Sequence, residues 1–138
     1  MTIELSKTEF RRLLDLIYVG NWVMNSDREF IERITDYDAL ESKLFDYCKS
    51  LGMERLYAQY NGRTVPSRGF IEGGVHEAIL SYEDNAFFEI LAEELARRDM
   101  GFPAISEDNA DEFVSRMDSY IDEFEENGVE NIRVTSSS

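Results

Sequence analysis

The feature that most restricts what this chain can fold into is a run of apolar residues at helical spacing, set directly behind a helix-start signal. Ser6-Lys7-Thr8-Glu9 is a capping-box pattern, in which the Ser6 hydroxyl and the Glu9 carboxylate can satisfy each other's free backbone donors. Phe10, Leu13, Leu14, Ile17 and Met24 then recur at steps of three, four and seven, which places them on one face of a helix. Leu16, Val19, Trp22 and Val23 fall outside that stripe, so the same helix is expected to be apolar on several sides. Such a helix is either the wrapped centre of the core or an interface, and the Tyr18–Trp22 segment offers a homodimer face with Trp22 as its anchor. Gly20 costs the helix stability, but it would let a neighbouring backbone approach closely.

A second capping box, Ser26-Asp27-Arg28-Glu29, precedes Phe30, Ile34, Tyr37, Leu44, Cys48 and Leu51. The pattern predicts a helix over about 27–51, bent near Thr35-Asp36 and stopped by Gly52. Between 52 and 75 the signals change. Five of the eight glycines lie here, and Asn61-Gly62 is a favoured hairpin turn between Leu56–Tyr60 and Arg63–Val65; a one-turn helix followed by a loop is the alternative. Further helices are expected over 75–80, over 85–99 behind Asp84, and over 107–127 behind Ser106, with Gly128 as the stop. Phe87, Phe88, Ile90, Leu91 and Leu95 form the expected inner face of the 85–99 helix, and Glu93–Arg97 and Glu94–Arg98 its ion pairs. The expected fold is therefore mainly α: about five helices in one bundle-like domain over 1–134. A minor β element at 55–65 and 129–134 accompanies them, and 135–138 form a loose tail.

Charge decides which partners are plausible. Residues 1–69 carry 11 acidic and 10 basic side chains, whereas 70–138 carry 18 acidic and 4 basic, and the whole chain stands at −15. A chain of that charge still folds, because 43% of its residues are apolar and 12% aromatic. Its surface would repel phosphate backbones and anionic lipid, so no direct nucleic-acid binding and no membrane association are expected. The 107–127 helix holds nine acids against Arg116 alone. Asp111, Asp118, Asp122 and Glu125 are its candidate partner-binding residues, facing a protein with a basic surface. The alternative is that these carboxylates only keep the chain in solution. Residues 1–10 lack an apolar run, no stretch is long enough to span a bilayer, and Cys48 stands alone, so a cytoplasmic protein without disulfides is expected.

Candidates for chemistry are sparse. One histidine and one cysteine cannot build a zinc or di-iron site. The nearest approach to an EF-hand, Glu123 to Val134, begins on Glu and ends on Val. Gly73-Gly74 lacks both the Walker lysine and the dinucleotide-loop spacing. His76 beside Glu77 has no partnered nucleophile. No catalytic residue, cofactor or metal ligand is assigned. Arg63 and Arg68, flanking Pro66, could grip an anionic group.

The segments Leu13-Leu14-Asp15-Leu16-Ile17-Tyr18-Val19-Gly20-Asn21-Trp22 and Tyr82-Glu83-Asp84-Asn85-Ala86-Phe87-Phe88 resemble small acidic bacterial proteins known as domains of unknown function. That resemblance implies a bacterial or phage cytosolic origin and no activity. The sequence leads to a non-enzymatic interaction or regulatory protein. Two alternatives stand beside it: a nucleic-acid-mimicking inhibitor of a basic nucleic-acid-binding protein, and an enzyme with an unrecognised site.

Overall fold

A computed structural model describes residues 1–136; Ser137 and Ser138 of the expected tail lie outside the described residues. The protein is mainly helical, with one small antiparallel hairpin. Its long helices are α1 (Lys7–Asn25), α2 (Thr35–Asp46), α4 (His76–Asp99) and α5 (Ala110–Asn127), and α3 (Arg68–Phe70) is a single turn. Strands β1 (Tyr57–Tyr60) and β2 (Arg63–Pro66) pair with Tyr57 opposite Pro66 and Tyr60 opposite Arg63. The chain divides into two compact units, Met1–Leu80 and a second that begins at Ser81.

In the first unit, α1 starts as its sequence dictates. The Glu9 amide donates to Ser6 Oγ at 3.1 Å, and the Ser6 amide donates to Glu9 Oε2 at 2.7 Å. The buried face runs Phe10, Leu14, Tyr18, Asn21, Asn25, so the apolar stripe passes into two asparagines. Leu16 and Val23 point outward, and α1 is therefore not wrapped on all sides. A methyl built on Gly20 would meet nothing within 4 Å, so the close approach that Gly20 permits is not used.

The second capping box does not start a helix. Residues 26–34 form a chain of turns, and α2 begins only at Thr35, where a bend was expected. The cause is Asn25. Its side-chain oxygen accepts from the Ile34 amide at 2.8 Å, and its nitrogen donates to the Ile34 carbonyl at 3.3 Å. This clamp closes the loop and holds Phe30 (91% exposed) and Ile31 (94%) outward, where the sequence pattern had placed Phe30 in a helical core stripe. The core proper gathers Phe10, Leu14, Tyr18, Phe45, Cys48, Phe70 and Ile79. The Phe70 ring meets Phe45 edge-on at 5.0 Å and Tyr18 at 5.7 Å, geometry that aromatic quadrupoles favour. Cys48 packs here as a small hydrophobe, and burial pushes its thiol up from its ordinary value.

The hairpin forms where Asn61-Gly62 predicts it. Both residues take positive φ, 50° and 75°, as a primed turn requires. Thr64 on β2 is buried and donates to Asp46 Oδ1 at 2.7 Å, which ties the hairpin to the end of α2. Beyond Ser67, whose hydroxyl caps α3, a wide turn at Ile71–Val75 runs directly into α4. Gly74 absorbs the irregularity at φ 123°, a conformation other residues avoid. The helices expected over 75–80 and 85–99 are thus one, and Asp84 sits inside α4 rather than capping it.

In the second unit, the apolar stripe of α5 lies inward as expected: Phe113, Met117, Tyr120 and Ile121 are half-buried and Phe124 is buried. Phe124 packs against Phe88 at 5.5 Å and Tyr120 at 6.0 Å. Phe87 and Ile90 of α4, expected inside, are exposed, and Ala92 and Ala96 take the buried positions. Helix α5 starts at Ala110, not 107, because the Asn109 side chain accepts from the Ser106 amide and folds the preceding turn back. Gly128 ends it. No strand forms at 129–134. The amides of Glu130 and Ile132 donate instead to the carbonyls of Asn127 and Val129, as successive turns. Among the described residues, no helix is long and apolar enough to cross a membrane.

Candidate functional site

Each unit holds a concentration of polar side chains that bears on function. In the second unit, Asp111, Asp118, Asp122 and Glu125 are all exposed. At about 100° per residue their spacing of seven, four and three puts them on one line of the α5 surface, about 20 Å long. Among the described residues none of the four has an ion-pair or hydrogen-bond partner for its side chain, whereas Glu112 holds Arg116 at 3.0 Å. Asp111 and Glu112 complement the positive end of the helix dipole, but Glu123, Glu125 and Glu126 crowd the negative end, where the last turn has no basic residue. Glu123 is committed locally, accepting from Asn127 at 3.1 Å and Asn131 at 2.6 Å. Along the helix axis the four exposed carboxylates rise by about 10, 6 and 4.5 Å, an uneven series compared with the regular charge spacing of a nucleic-acid strand.

Also within the second unit, the Glu93–Arg97 pair forms at 2.8 Å, and the Arg97 guanidinium lies 5.7 Å from the Phe113 ring centre. The Glu94–Arg98 pair does not form. Arg98 turns instead to Asp99 at 2.8 Å and to the Tyr120 hydroxyl, which itself donates to Asp99. Tyr120 first, and Arg98 second, hold the Asp99 carboxyl below the usual carboxylate range.

The other place lies in the first unit, where the buried face of α1 turns polar. Asn21 Nδ2 donates to Asp38 Oδ1 at 3.0 Å and to Glu41 Oε2 at 3.2 Å, while Asn21 Oδ1 accepts from Asn25 at 2.7 Å. Arg33, delivered by the clamped loop, grips Asp38 with two parallel bonds, Nε to Oδ2 at 2.8 Å and Nη2 to Oδ1 at 2.7 Å. That bond is the main reason the Asp38 carboxyl is held low. Glu41 has no such partner among the described residues, and burial lifts its carboxyl from 4.5 to about 6. These groups line a recess of about 270 Å³ together with Tyr18, Trp22 and Ser26. A neighbouring recess of about 360 Å³ shares Arg33, Asp38 and Glu41 and adds Phe30, Tyr60 and Arg63.

The residues singled out from sequence therefore separate. Arg63 is exposed at the hairpin and, of these two recesses, lines the second. Arg68 is on the surface, paired with Glu72 at 2.7 Å, and joins neither. Trp22 is half-buried on the recess wall, edge-on to His76 at 4.7 Å. His76 is half-buried with Nδ1 3.0 Å from the Tyr18 hydroxyl. The sequence reading missed Asn21, Asn25, Arg33, Asp38 and Glu41. A signal for the first two existed: asparagines at i and i+4, in register with the buried positions Leu14 and Tyr18. Arg33, Asp38 and Glu41 carry no such mark, because the loop that brings them together was read as helix.

Comparison with known proteins returned no matching family model, no similar curated protein and no similar solved structure.

Proposed function

We propose that this is a small acidic interaction protein without chemistry of its own, which docks a protein partner of basic surface along the exposed face of α5. The observation that carries this reading is the line of Asp111, Asp118, Asp122 and Glu125, exposed and without side-chain partners among the described residues. Local energetics alone do not favour such a line. Asp118–Asp122 and Asp122–Glu126 are like-charge pairs at i,i+4, each costing about 0.2–0.5 kcal/mol, and the acids at the end of α5 oppose its dipole. A partner that neutralises them would recover that cost. Steering by such a field would also accelerate association at low ionic strength.

The test is affinity capture from host lysate at low and high salt, with a variant carrying Asp111→Asn, Asp118→Asn, Asp122→Asn and Glu125→Gln as comparison. A basic protein held by the wild type, lost by the variant and released by salt is the expected result. Identical captures by both proteins would overturn the proposal. A nuclease or polymerase among the variant-sensitive captures would turn the reading toward nucleic-acid mimicry.

A further inference from the structure

The recess in the first unit contains an electrostatic imbalance that the fold does not resolve. Four elements contribute its charged and titratable groups: Tyr18 from α1, Arg33 from the clamped loop, Asp38 and Glu41 from α2, and, from β2, Arg63, whose charge reaches both carboxylates. Asp38 is fully answered by the two bonds from Arg33. Glu41 receives one hydrogen bond, from an Asn21 amide already shared with Asp38, and among the described residues it forms no ion pair. A half-buried carboxylate with one weak donor, and with Arg33 and Arg63 acting on it only through space, is unfavourable as it stands. The space beside it is lined by Trp22 and Tyr18, aromatic side chains of the kind that attract a cation.

We propose that this recess binds the ammonium head of a small primary amine, with Glu41 as its counter-ion and Trp22 as the aromatic wall. The lining selects that class. An anion would meet two carboxylates, while the fork of Arg33 is already engaged by Asp38. A metal ion would need at least a third ligand, and among the described residues no group of three suitable side chains gathers anywhere. An ammonium group supplies what Glu41 lacks, a positive charge and several donors in one compact head. Above about pH 6 the cation meets an ionised Glu41; below it, binding must first displace the carboxyl proton to solvent. The inference is independent of the acidic face of α5.

The test follows the Glu41 carboxyl carbon and the Trp22 indole N–H by NMR on the full chain. Propylammonium is titrated in one arm and Nα-acetyl-lysine methylamide in the other, with propanol as the uncharged control. Saturable shifts at both nuclei with either amine, and none with propanol, are expected at pH 7.5. A stronger response to the lysine derivative assigns the head to a protein side chain, and an equal or stronger response to propylammonium assigns it to a free amine. The apparent affinity should fall about tenfold at pH 5, where a carboxyl titrating at about 6 is mostly protonated. Glu41→Gln, which keeps the shape and the Asn21 bond, should abolish the response while the remaining amide spectrum stays native. No saturable shift with either amine, an equal shift with propanol, or undiminished binding in the Gln variant would each overturn the proposal.

Discussion

The same carboxyl makes a prediction about stability. Glu41 is lifted from 4.5 to about 6 because burial disfavours its charged form, more than the Asn21 bond and the two arginines favour it. The folded protein therefore binds a proton more tightly than the unfolded chain does. Its stabilising share is fully present below the unfolded value, and is lost as pH rises through about 6. A shift of that size corresponds to about 2 kcal/mol, and because solvent still reaches part of the side chain, about 1 kcal/mol is the effect to expect. Glu41→Gln is permanently uncharged and can still accept from Asn21 at the same position. The variant should match the wild type near pH 4.5 and exceed it by about 1 kcal/mol at pH 7.5. Urea unfolding at a series of pH values, followed by the fluorescence of the single tryptophan, measures the difference in the unit that contains Glu41. A difference that is flat with pH, or a variant weaker than the wild type at pH 7.5, would show that Glu41 is answered by a charge beyond Arg33 and Arg63.

Two further substitutions test the first unit. Asn25→Ala removes the clamp on Ile34 and orphans its amide, so it should cost about 2–3 kcal/mol in urea unfolding and raise hydrogen exchange across residues 26–34. A loss below 0.5 kcal/mol, well short of that order, would mean that the loop holds its shape by other means. Gly20→Ala adds a methyl into open space on α1 and should raise stability by about 0.5–1 kcal/mol. A lower midpoint for this variant would reveal a close approach at Gly20.

What the sequence determined by itself is local. The reciprocal box of Ser6 and Glu9 starts α1, Asn61-Gly62 turns the hairpin, Gly128 stops α5, and the 3.6-residue stripe from Phe113 to Phe124 faces inward. Each of these depends on groups within one or two turns of each other, so spacing alone specifies them. The acidic line on α5 was legible for the same reason. Tertiary structure decided the rest. Ser26–Glu29 is as good a capping box as Ser6–Glu9, yet it becomes a loop, because Asn25 bonds to the backbone of Ile34 nine residues away. Nothing local marked Glu41 or Asp38 as the carboxylates that matter among 29 acids. They differ from the others because that loop brings Arg33 to Asp38 and leaves Glu41 half-buried beside Asn21 without an ion pair of its own. Burial and charge pairing are properties of what comes together across the fold, and a one-dimensional pattern holds no term for them.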